Sequence, residues 1–378
     1  MPQEYFGRGS IGYLKTILAS QKPKNIFLVR GKTSYQASGA EEKLQPFLTD
    51  YPLTAFMDFS ANAKVEDVEK GIAIFRENHC DFIIAVGGGS ALDLAKAVAL
   101  LANQSENIST YLQKKISPHT RTIPLIAIPT TAGTGSEATH FAAIYIDKKK
   151  FSLAHPSLIP DDVIIDPDLT FSLPPYITAC TGMDALTQAI ESYWSVQATT
   201  ESRQYARQAL TLALDHLEAA VNFPTPEART AMAHAANLSG KAINLSFTTA
   251  CHAISYPITA YFGVPHGQAV ALTLPEMVMY NANVQTEDCL DPRGAAAVQK
   301  GMEELFTLFG VTSAEKMKER LEWLMDRIGL NRTLRPCGIK NSEDIELVIS
   351  NGFNPERVGN NPRNLTRDNL RKIMEKIV

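Results

Sequence analysis

The sequence lacks the features that mark several classes of protein. Its 378 residues include only five cysteines, widely spaced and without a CxxC pair, which argues against a disulfide framework and against a thiolate zinc site. No stretch approaches the roughly 18 consecutive apolar residues that a membrane-spanning helix requires. The opening segment, MPQEYFGRGSIGYLK, contains no apolar core of a secretory signal. We therefore expect a cytoplasmic protein with no membrane partner.

A surplus of basic residues is also missing. The chain carries 36 lysines and arginines against 40 aspartates and glutamates, a net charge of −4, so no basic field attracts nucleic acid. Hydrophobic residues make up 45% and charged residues 20%, values typical of a globular protein with a large core. Because domains commonly contain about 100–200 residues, the length predicts two of them. We expect no nucleic-acid partner.

The first part of the chain alternates between strand and helix patterns. Short apolar runs rich in β-branched residues predict strands, and apolar residues at three- and four-residue spacing predict helices. The predicted strands are residues 25–30, 54–59, 81–86 and 125–128, and the predicted helices are residues 65–78 and 90–102. Alternation of this kind predicts a parallel sheet with helices on both faces.

The pattern changes near residue 174. Long helical patterns follow, over residues 177–196, 200–221, 226–245 and 314–328, and strand patterns nearly disappear. Three prolines within residues 166–175 interrupt any regular structure there. We therefore predict an α/β domain at residues 1–173 and an all-helical domain at residues 174–378.

Two glycine-containing turns follow predicted strands, and the first glycine turn comprises Gly87, Gly88, Gly89 and Ser90. Ser90 is placed to cap the helix that follows. Glycines between a strand and a helix let the backbone approach a phosphate, and the helix N-terminus supplies free N–H groups. The spacing is not that of the GxGxxG dinucleotide fingerprint. The turn favours a bound phosphate, although a tight turn without a ligand has the same pattern.

The second glycine turn is the segment TTAGTGSE at residues 130–137. It places four hydroxyl side chains around two glycines, and these belong to Thr130, Thr131, Thr134 and Ser136. Hydroxyl groups suit hydrogen bonding to phosphate or ribose, and a polar surface loop is the alternative. Two such turns after neighbouring strands predict a nucleotide across the carboxyl ends of the sheet.

Several side chains with metal-ligand chemistry occur in the helical part. Asp184 and Gln188 are four residues apart and share one helix face. His252 precedes His266 by 14 residues, and Pro265 places His266 at the start of a helix. Two histidines and a carboxylate can hold a divalent ion with an open coordination position. From spacing alone, each histidine can equally be a buried polar residue without a ligand.

Four ordered motifs identify a family resemblance. They are GGGSALDLAK, IPTTAGTGSEAT, GMDALTQAIE and HAISYPITAYFGVPHG. Together they resemble the iron-containing (group III) alcohol dehydrogenases, and the resemblance extends over nearly the whole chain. It implies a dehydroquinate synthase-like fold, in which an α/β domain binds the dinucleotide NAD or NADP and a helical domain holds one divalent metal, usually Fe²⁺ or Zn²⁺.

The resemblance implies metal ligands at Asp184, His252 and His266. A fourth ligand, normally a histidine in the family, falls on Gln188 in this chain. An amide oxygen binds a hard cation but is a neutral and weaker donor than imidazole, so Gln188 is either a weak ligand or replaced by water. Many relatives carry a further histidine near the substrate, where this chain has Tyr256. We assign catalytic roles to Tyr256 and His266, with simple packing as the alternative for the tyrosine.

The resemblance also implies cofactor-binding residues beyond the two turns. Asp93 in the first motif and Lys150 fall on nucleotide-binding positions, although Lys150 also suits a solvated surface turn. Where the family often has an aspartate for the adenosine ribose, this chain has Gly31 flanked by Arg30 and Lys32. An acidic residue repels a 2′-phosphate, whereas glycine leaves room and the cations supply charge. We therefore predict that NADP is accepted; the alternative is that both cations point to solvent.

The activity that the resemblance implies is metal-dependent hydride transfer between NAD(P)H and an aldehyde, or the reverse from a primary alcohol. Gln188 together with HAISYP and SYWS resembles the branch that includes phosphonoacetaldehyde reductases, which make 2-hydroxyethylphosphonate. Arg357 and Arg363 are candidate cations for such an anionic substrate. The alternatives are a general short-chain alcohol dehydrogenase or aldehyde reductase, and a metal-free nucleotide-binding protein that has lost catalysis. Relatives often form dimers, so a homodimer is a further prediction.

Overall fold

The structure is a computed structural model, and it describes residues 2–113 and 116–378, apart from the side chain at position 356. The chain divides into two compact units, Met1–Leu173 and Pro174–Val378. The division falls inside the segment 166–175, where prolines interrupt the sequence pattern. Each unit has its own buried apolar residues.

The first unit contains a six-stranded parallel sheet and a separate antiparallel hairpin. Its strands are β1 (Gln3–Phe6), β2 (Ile26–Arg30), β3 (Leu53–Phe56), β4 (Phe82–Gly87), β5 (Leu125–Pro129), β6 (Phe141–Ile146), β7 (Lys149–Ala154) and β8 (Asp162–Ile165). The order across the sheet is β1-β8-β5-β4-β2-β3, and β6 pairs with β7. Its helices are α1 (Tyr13–Gln21), α2 (Ser34–Ala37), α3 (Ala40–Leu48), α4 (Val65–Glu77), α5 (Gly89–Leu101) and α6 (Ile108–Leu112).

Helices cover both faces of the sheet because successive side chains of a buried strand point in opposite directions. Leu28 of β2 belongs to a buried cluster with Leu14 of α1 and Leu44 of α3. Its neighbour Phe27 points to the other face, where its ring centroid lies 5.6 Å from that of Phe75 in α4. The predicted parallel sheet with helices on both faces is therefore confirmed.

The four predicted strands correspond to β2, β3, β4 and β5, with small differences at their ends. Strands β1 and β8 and the β6–β7 hairpin were not identified from the sequence. These strands are short, or they alternate between buried and partly exposed residues, so none forms a long apolar run. Pairing with neighbouring strands, which sequence spacing does not show, makes them extended.

The second unit is helical. Its helices are α7 (Pro175–Trp194), α8 (Thr200–Asn222), α9 (Pro226–Ser246), α10 (Ala250–Phe262), α11 (His266–Ala282), α12 (Ala295–Leu308), α13 (Ala314–Arg327), α14 (Ser342–Gly352), α15 (Pro355–Val358) and α16 (Arg367–Lys376). The predicted all-helical second part is confirmed, and the four predicted helices correspond to α7, α8, α9 and α13. Among the described residues, no helix combines the length and the apolar character needed to cross a membrane.

Helix α7 is the central element of the second unit, since α8, α9 and α11 all pack against it. Two glycines allow the closest approaches. A Cβ on Gly182 would lie 2.1 Å from Leu217 of α8, and a Cβ on Gly267 would lie 1.8 Å from the Cys180 carbonyl oxygen of α7. No side chain fits at position 267 unless one of the two helices moves. This contact places the first turn of α11, which begins with His266, directly against α7.

Candidate functional site

The two glycine turns meet at the ends of the adjacent strands β4 and β5. The register pairs Gly87 with Pro129, and the Thr130 N–H donates to the Gly87 carbonyl over 2.9 Å. A Cβ on Gly89 would lie 2.7 Å from Thr134, so the second turn packs against the first with no space for a side chain. Helix α5 begins at Gly89, and no side chain caps its N-terminus. Its first N–H groups can therefore bind a phosphate.

Ser90 does not cap helix α5, contrary to the prediction from the sequence. The extended backbone that an N-cap residue requires occurs at Gly88, with φ −78° and ψ −174°. Ser90 instead lies in the first turn of the helix, where its hydroxyl donates to the Ala61 carbonyl. Gly88 faces the second glycine turn, because a Cβ on it would lie 3.3 Å from Thr131. The helix N-terminus is thus left open for an external acceptor.

Asp93 and Lys96 join helix α5 to the second glycine turn and the strand that follows it. Asp93 accepts hydrogen bonds from the Ser136 hydroxyl and from the Ala143 N–H. Lys96 is fully buried and donates to the carbonyl oxygens of Ser136 and Phe141 over 2.8 and 2.5 Å. Burial lowers the pKa of Lys96 to about 8, against the opposite effect of nearby carboxylates. Both residues shape the second turn, and the role of Lys96 was not identified from the sequence.

The end of β2 also reaches the first glycine turn. The Gly31 N–H donates to a carbonyl of β4 over 3.3 Å. Arg30 places its guanidinium 4.8 Å from the ring centroid of Tyr35, and Lys32 is exposed. Lys150 lies in β7 of the separate hairpin. The two predicted cations thus flank the turn after β2, and the role of Lys150 in nucleotide binding stays a prediction.

Three of the predicted metal ligands come together in the second unit. Asp184 lies on α7, His252 on α10 and His266 at the first position of α11. One ligand atom from each of these residues lies within 4.8 Å of the other two. Asp184 and His252 are buried, and His266 is partly exposed. A carboxylate and two imidazoles in this arrangement fit a divalent ion.

Glu191 determines which nitrogen of His252 is available. It is fully buried on α7, and its carboxylate accepts from His252 Nδ1 over 2.6 Å. It also accepts from the Thr249 N–H, the Thr249 hydroxyl and the Cys251 N–H. Because this carboxylate only accepts, Nδ1 carries the hydrogen, and Nε2 is left to face Asp184 Oδ1 at 3.3 Å. Glu191 therefore orients a histidine of the cluster.

Ser255 has the same effect on His266. Its hydroxyl donates to the His252 carbonyl over 2.7 Å, so its oxygen is left to accept from His266 Nδ1 over 3.3 Å. The Nε2 atom of His266 then lies 3.9 Å from Asp184 Oδ1. Tyr256 stacks on the His266 ring with centroids 6.0 Å apart, and so lies beside the cluster.

Gln188 lies next to the cluster, one turn along α7 from Asp184. Its Nε2 atom donates to Asp184 Oδ1 over 3.2 Å, and its Oε1 atom accepts from the Ser239 hydroxyl over 3.1 Å. The structure therefore turns the N–H group of this amide toward Asp184 and its oxygen toward α9.

The electrostatics of the cluster favour a bound cation. Burial alone raises the pKa of the Asp184 carboxyl, but positive charge on His266 and His252 holds that pKa below its usual value. Burial alone lowers the pKa of His252, whereas Glu191 and Asp184 raise it to about 9. Two buried carboxylates thus stabilise positive charge at the imidazoles, whether a proton or a metal ion supplies it.

The two candidate arginines for an anionic substrate have different surroundings. Arg363 donates from Nε to Asp288 over 2.7 Å and stacks on the Tyr280 ring, so its position is determined by those two residues. Arg357 lies on α15, which packs against α10, and its guanidinium lies 5.2 Å from the ring centroid of Phe247. Of the two, Arg357 lies next to the segment that leads into the histidine-bearing helix α10.

Sequence reasoning missed the residues that orient the ligands, namely Glu191, Ser239 and Ser255. Glu191 follows Gln188 by three residues and so falls on the same face of α7, which is the one sign that could have identified it. The two serines carry no comparable sign, because spacing along a helix does not reveal which distant side chain a hydroxyl contacts.

Comparison with known families covers nearly the whole chain. Residues 2–167 match the family described as iron-containing alcohol dehydrogenase, and residues 178–378 match the C-terminal part of the Fe-containing alcohol dehydrogenase family. Long-chain-alcohol dehydrogenase 1 of Geobacillus thermodenitrificans is 31% identical over 382 residues, which cover 99% of this chain and 94% of that protein. Phosphonoacetaldehyde reductase of Streptomyces viridochromogenes is 33% identical over 312 residues, which cover 79% of this chain and 76% of that protein.

A solved structure extends the likeness to three dimensions. The crystal structure of sulfoacetaldehyde reductase from Bifidobacterium kashiwanohense in complex with NAD⁺ has a TM-score of 0.87 to this chain at 32% identity. The match covers 100% of this chain and 96% of that one. At this coverage both the α/β unit and the helical unit have counterparts in the solved structure.

Proposed function

Because this chain belongs to the iron-containing alcohol dehydrogenase family, we propose that its substrate is a short aldehyde with an anionic group, phosphonoacetaldehyde above all, which it reduces to a primary alcohol. As a family member, the chain is an NAD(P)-linked oxidoreductase that interconverts aldehydes and alcohols. The observation that carries the metal-dependent activity is the cluster of Asp184, His252 and His266, in which one carboxylate and two oriented imidazoles converge from three helices.

We assign the metal ion to this cluster and the nicotinamide cofactor to the two glycine turns. A bound divalent ion supplies Lewis acidity toward the substrate oxygen. Glu191 and Ser255 accept from the Nδ1 atoms of His252 and His266, so the Nε2 atoms, directed toward Asp184, are the ones that would hold an ion in place of a proton. The uncapped N-terminus of α5 offers its N–H groups and its dipole to the cofactor phosphates.

Two observations support an anionic substrate. Two similar proteins are by name reductases of phosphonoacetaldehyde and of sulfoacetaldehyde, and both of these aldehydes carry an acidic group. Arg357 lies beside Phe247, next to the start of the helix that carries His252. Another similar protein is by name a long-chain-alcohol dehydrogenase, so a general alcohol dehydrogenase is the alternative.

We further propose that NADP is accepted. Gly31 leaves the end of β2 without a carboxylate, and Arg30 and Lys32 flank it with positive charge. A carboxylate at this position would repel a 2′-phosphate, whereas these cations attract it.

The test is oxidation of NADPH and of NADH, recorded in parallel with phosphonoacetaldehyde and with propanal, with Fe²⁺ or Zn²⁺ supplied. We expect kcat/KM for phosphonoacetaldehyde to exceed that for propanal by at least about tenfold, which corresponds to about 1.4 kcal/mol from contacts to the charged group. We also expect NADPH to be used at least as well as NADH. Equal or faster reduction of propanal would instead indicate a general aldehyde reductase.

A matched pair of variants locates the charge that recognises the substrate. Arg357→Gln should lower kcat/KM for phosphonoacetaldehyde and leave that for propanal unchanged. Arg371→Gln removes a guanidinium of the same size from α16, where it pairs with Glu346 on the surface, and serves as the control. An equal loss with both substrates in Arg357→Gln would mean that Arg357 supports the fold and does not contact the anion.

A further inference from the structure

We infer that Gln188 is a positioning residue for Asp184 and not a ligand of the metal ion, and that the coordination position it leaves open admits the anionic group of the substrate. The inference rests on the proposed metal site and on the proposed class of substrate.

Both ends of the Gln188 amide are engaged. Its side chain is 3% exposed, so water does not compete for these contacts. The Nε2 atom lies 3.2 Å from Asp184 Oδ1, and the Oε1 atom lies 3.1 Å from the hydroxyl of Ser239, a fully buried residue of α9. A glutamine coordinates a hard cation through Oε1, and here that atom faces Ser239 and not the cluster.

Asp184 makes this orientation the only favourable one. Its Oδ1 atom lies 3.2 Å from the Gln188 amide nitrogen and 3.3 Å from Nε2 of His252, so it serves as an acceptor for the nitrogens around it. A reversed amide would bring Oε1 against Oδ1, two acceptors without a hydrogen between them, inside a buried site. Ser239 does not discriminate in the same way, because its hydroxyl also lies 2.9 Å from the Ala236 carbonyl oxygen and has one hydrogen for these two acceptors. The acceptor oxygen of Asp184 therefore decides which end of Gln188 faces the cluster.

The cluster is then left with three protein ligands. Among the described aspartates, glutamates, histidines and cysteines, the group that can hold an ion is Asp184, His252 and His266. Sites built from two histidines and one carboxylate keep coordination positions open for ligands from solution. A histidine at position 188, which the family resemblance leads one to expect, would fill one of these positions.

The extra open position suits a substrate with two oxygen donors. In phosphonoacetaldehyde the carbonyl oxygen and a phosphonate oxygen are separated by two carbons and the phosphorus, so both could bind an ion held by Asp184, His252 and His266. Propanal has a single donor and gains nothing from a second position. Gln188 thereby favours an aldehyde that carries an acidic group close to its carbonyl.

The test follows binding to the metal ion without turnover. The protein is loaded with Co²⁺ in the absence of nicotinamide cofactor and titrated with methylphosphonate, while the visible absorption of the cobalt reports changes in its coordination. We expect saturable spectral changes in the wild-type protein and none with 1-propanol at the same concentrations. In Gln188→His, the imidazole takes the open position, and methylphosphonate should bind at least about tenfold more weakly.

The variant Gln188→Ala distinguishes a positioning role of Gln188 from a role as a metal ligand. It also provides the test if Gln188→His does not fold. If Gln188 only positions Asp184, its removal deletes no ligand, and methylphosphonate binds within about twofold of its wild-type affinity. If Gln188 is a ligand, its removal opens a position and methylphosphonate binds more tightly, which would overturn the inference. Equal binding to wild type and to a folded, cobalt-loaded Gln188→His protein would overturn it as well.

These outcomes are separate from those of the proposed function. A normal methylphosphonate response together with no turnover of phosphonoacetaldehyde would contradict the proposed substrate and leave the role of Gln188 intact. If phosphonoacetaldehyde is turned over but methylphosphonate gives identical spectra in the wild type, Gln188→His and Gln188→Ala, the proposed substrate stands and the role of Gln188 is contradicted. Circular dichroism and the cobalt content of each protein show that the compared samples are folded and loaded.

Discussion

Glu191 and Asp184 are two buried carboxylates of one helix with different tasks. Asp184 faces Nε2 of both histidines, whereas Glu191 accepts from Nδ1 of His252 on the opposite side of that ring. Glu191 also satisfies the Thr249 and Cys251 N–H groups at the start of α10. One residue thus caps a helix and selects the tautomer of a ligand on the same helix.

Replacing Glu191 with glutamine retains the size of the side chain but turns one of its ends into a donor. Whichever way the amide is oriented, its NH₂ group meets an N–H, that of Cys251 or that of His252. If it meets His252, the imidazole has to carry its hydrogen on Nε2, and that atom no longer binds an ion. We expect metal affinity to fall by about 10–100-fold, measured by competition with a chelator of known affinity.

The control for this variant is Glu303→Gln, which makes the same chemical change at an exposed position of α12. Its metal affinity should equal that of the wild-type protein. If a folded Glu191→Gln protein also binds metal with wild-type affinity, Glu191 does not orient His252.

At the scale of the elements, the site depends on how closely α11 approaches α7. A Cβ at position 267 would lie 1.8 Å from the Cys180 carbonyl oxygen, which belongs to the backbone and cannot rotate away. Gly267→Ala should therefore push the first turn of α11, with His266, away from Asp184. We expect a loss of about 1–3 kcal/mol in the free energy of unfolding together with weaker metal binding, measured by denaturant titration and chelator competition.

Gly12→Ala is the matched control, because Gly12 is exposed, has a φ of −60° and has no atom within 4 Å of the added methyl group. Its stability should stay the same or rise slightly. Wild-type metal affinity in Gly267→Ala would show that α11 can shift without displacing His266.

At the scale of the whole molecule, the two chemical tasks fall in different units. The three metal-binding side chains all lie in Pro174–Val378, and both glycine turns lie in Met1–Leu173. A ligand stabilises the folded state that binds it. Each ligand should therefore slow hydrogen exchange most strongly in the segments that it contacts. We expect metal removal to speed hydrogen exchange at the starts of α10 and α11, and NADPH to slow it at the two glycine turns, measured by mass spectrometry.

Peptides from β3 and β8, which contain no assigned site residue, serve as internal references. Faster exchange throughout both units on metal removal would mean that the ion stabilises the entire chain and not the helical unit alone. A homodimer stays a prediction.

Much of the fold is predictable from the sequence because it arises from local patterns. The run FIIAV is apolar and rich in β-branched residues, which predicts the buried strand β4 without reference to the rest of the chain. Glycines directly after it predict the turn, and four-residue spacing places Asp184 and Gln188 on one face of α7. Family motifs then assign the cluster of Asp184, His252 and His266, which the structure brings together.

What the sequence determined by itself is the kind of chemistry: which residues can bind phosphate or a divalent ion, and on which elements they lie. Only the tertiary structure decided how those residues are oriented. Glu191 meets His252 across 61 positions, and Ser239 meets Gln188 across 51. The Ser90 cap was predicted wrongly because the helix begins at Gly89, next to packed turns. Spacing along one element reports which side chains share a face, whereas hydrogen-bond direction depends on the partner that another element presents.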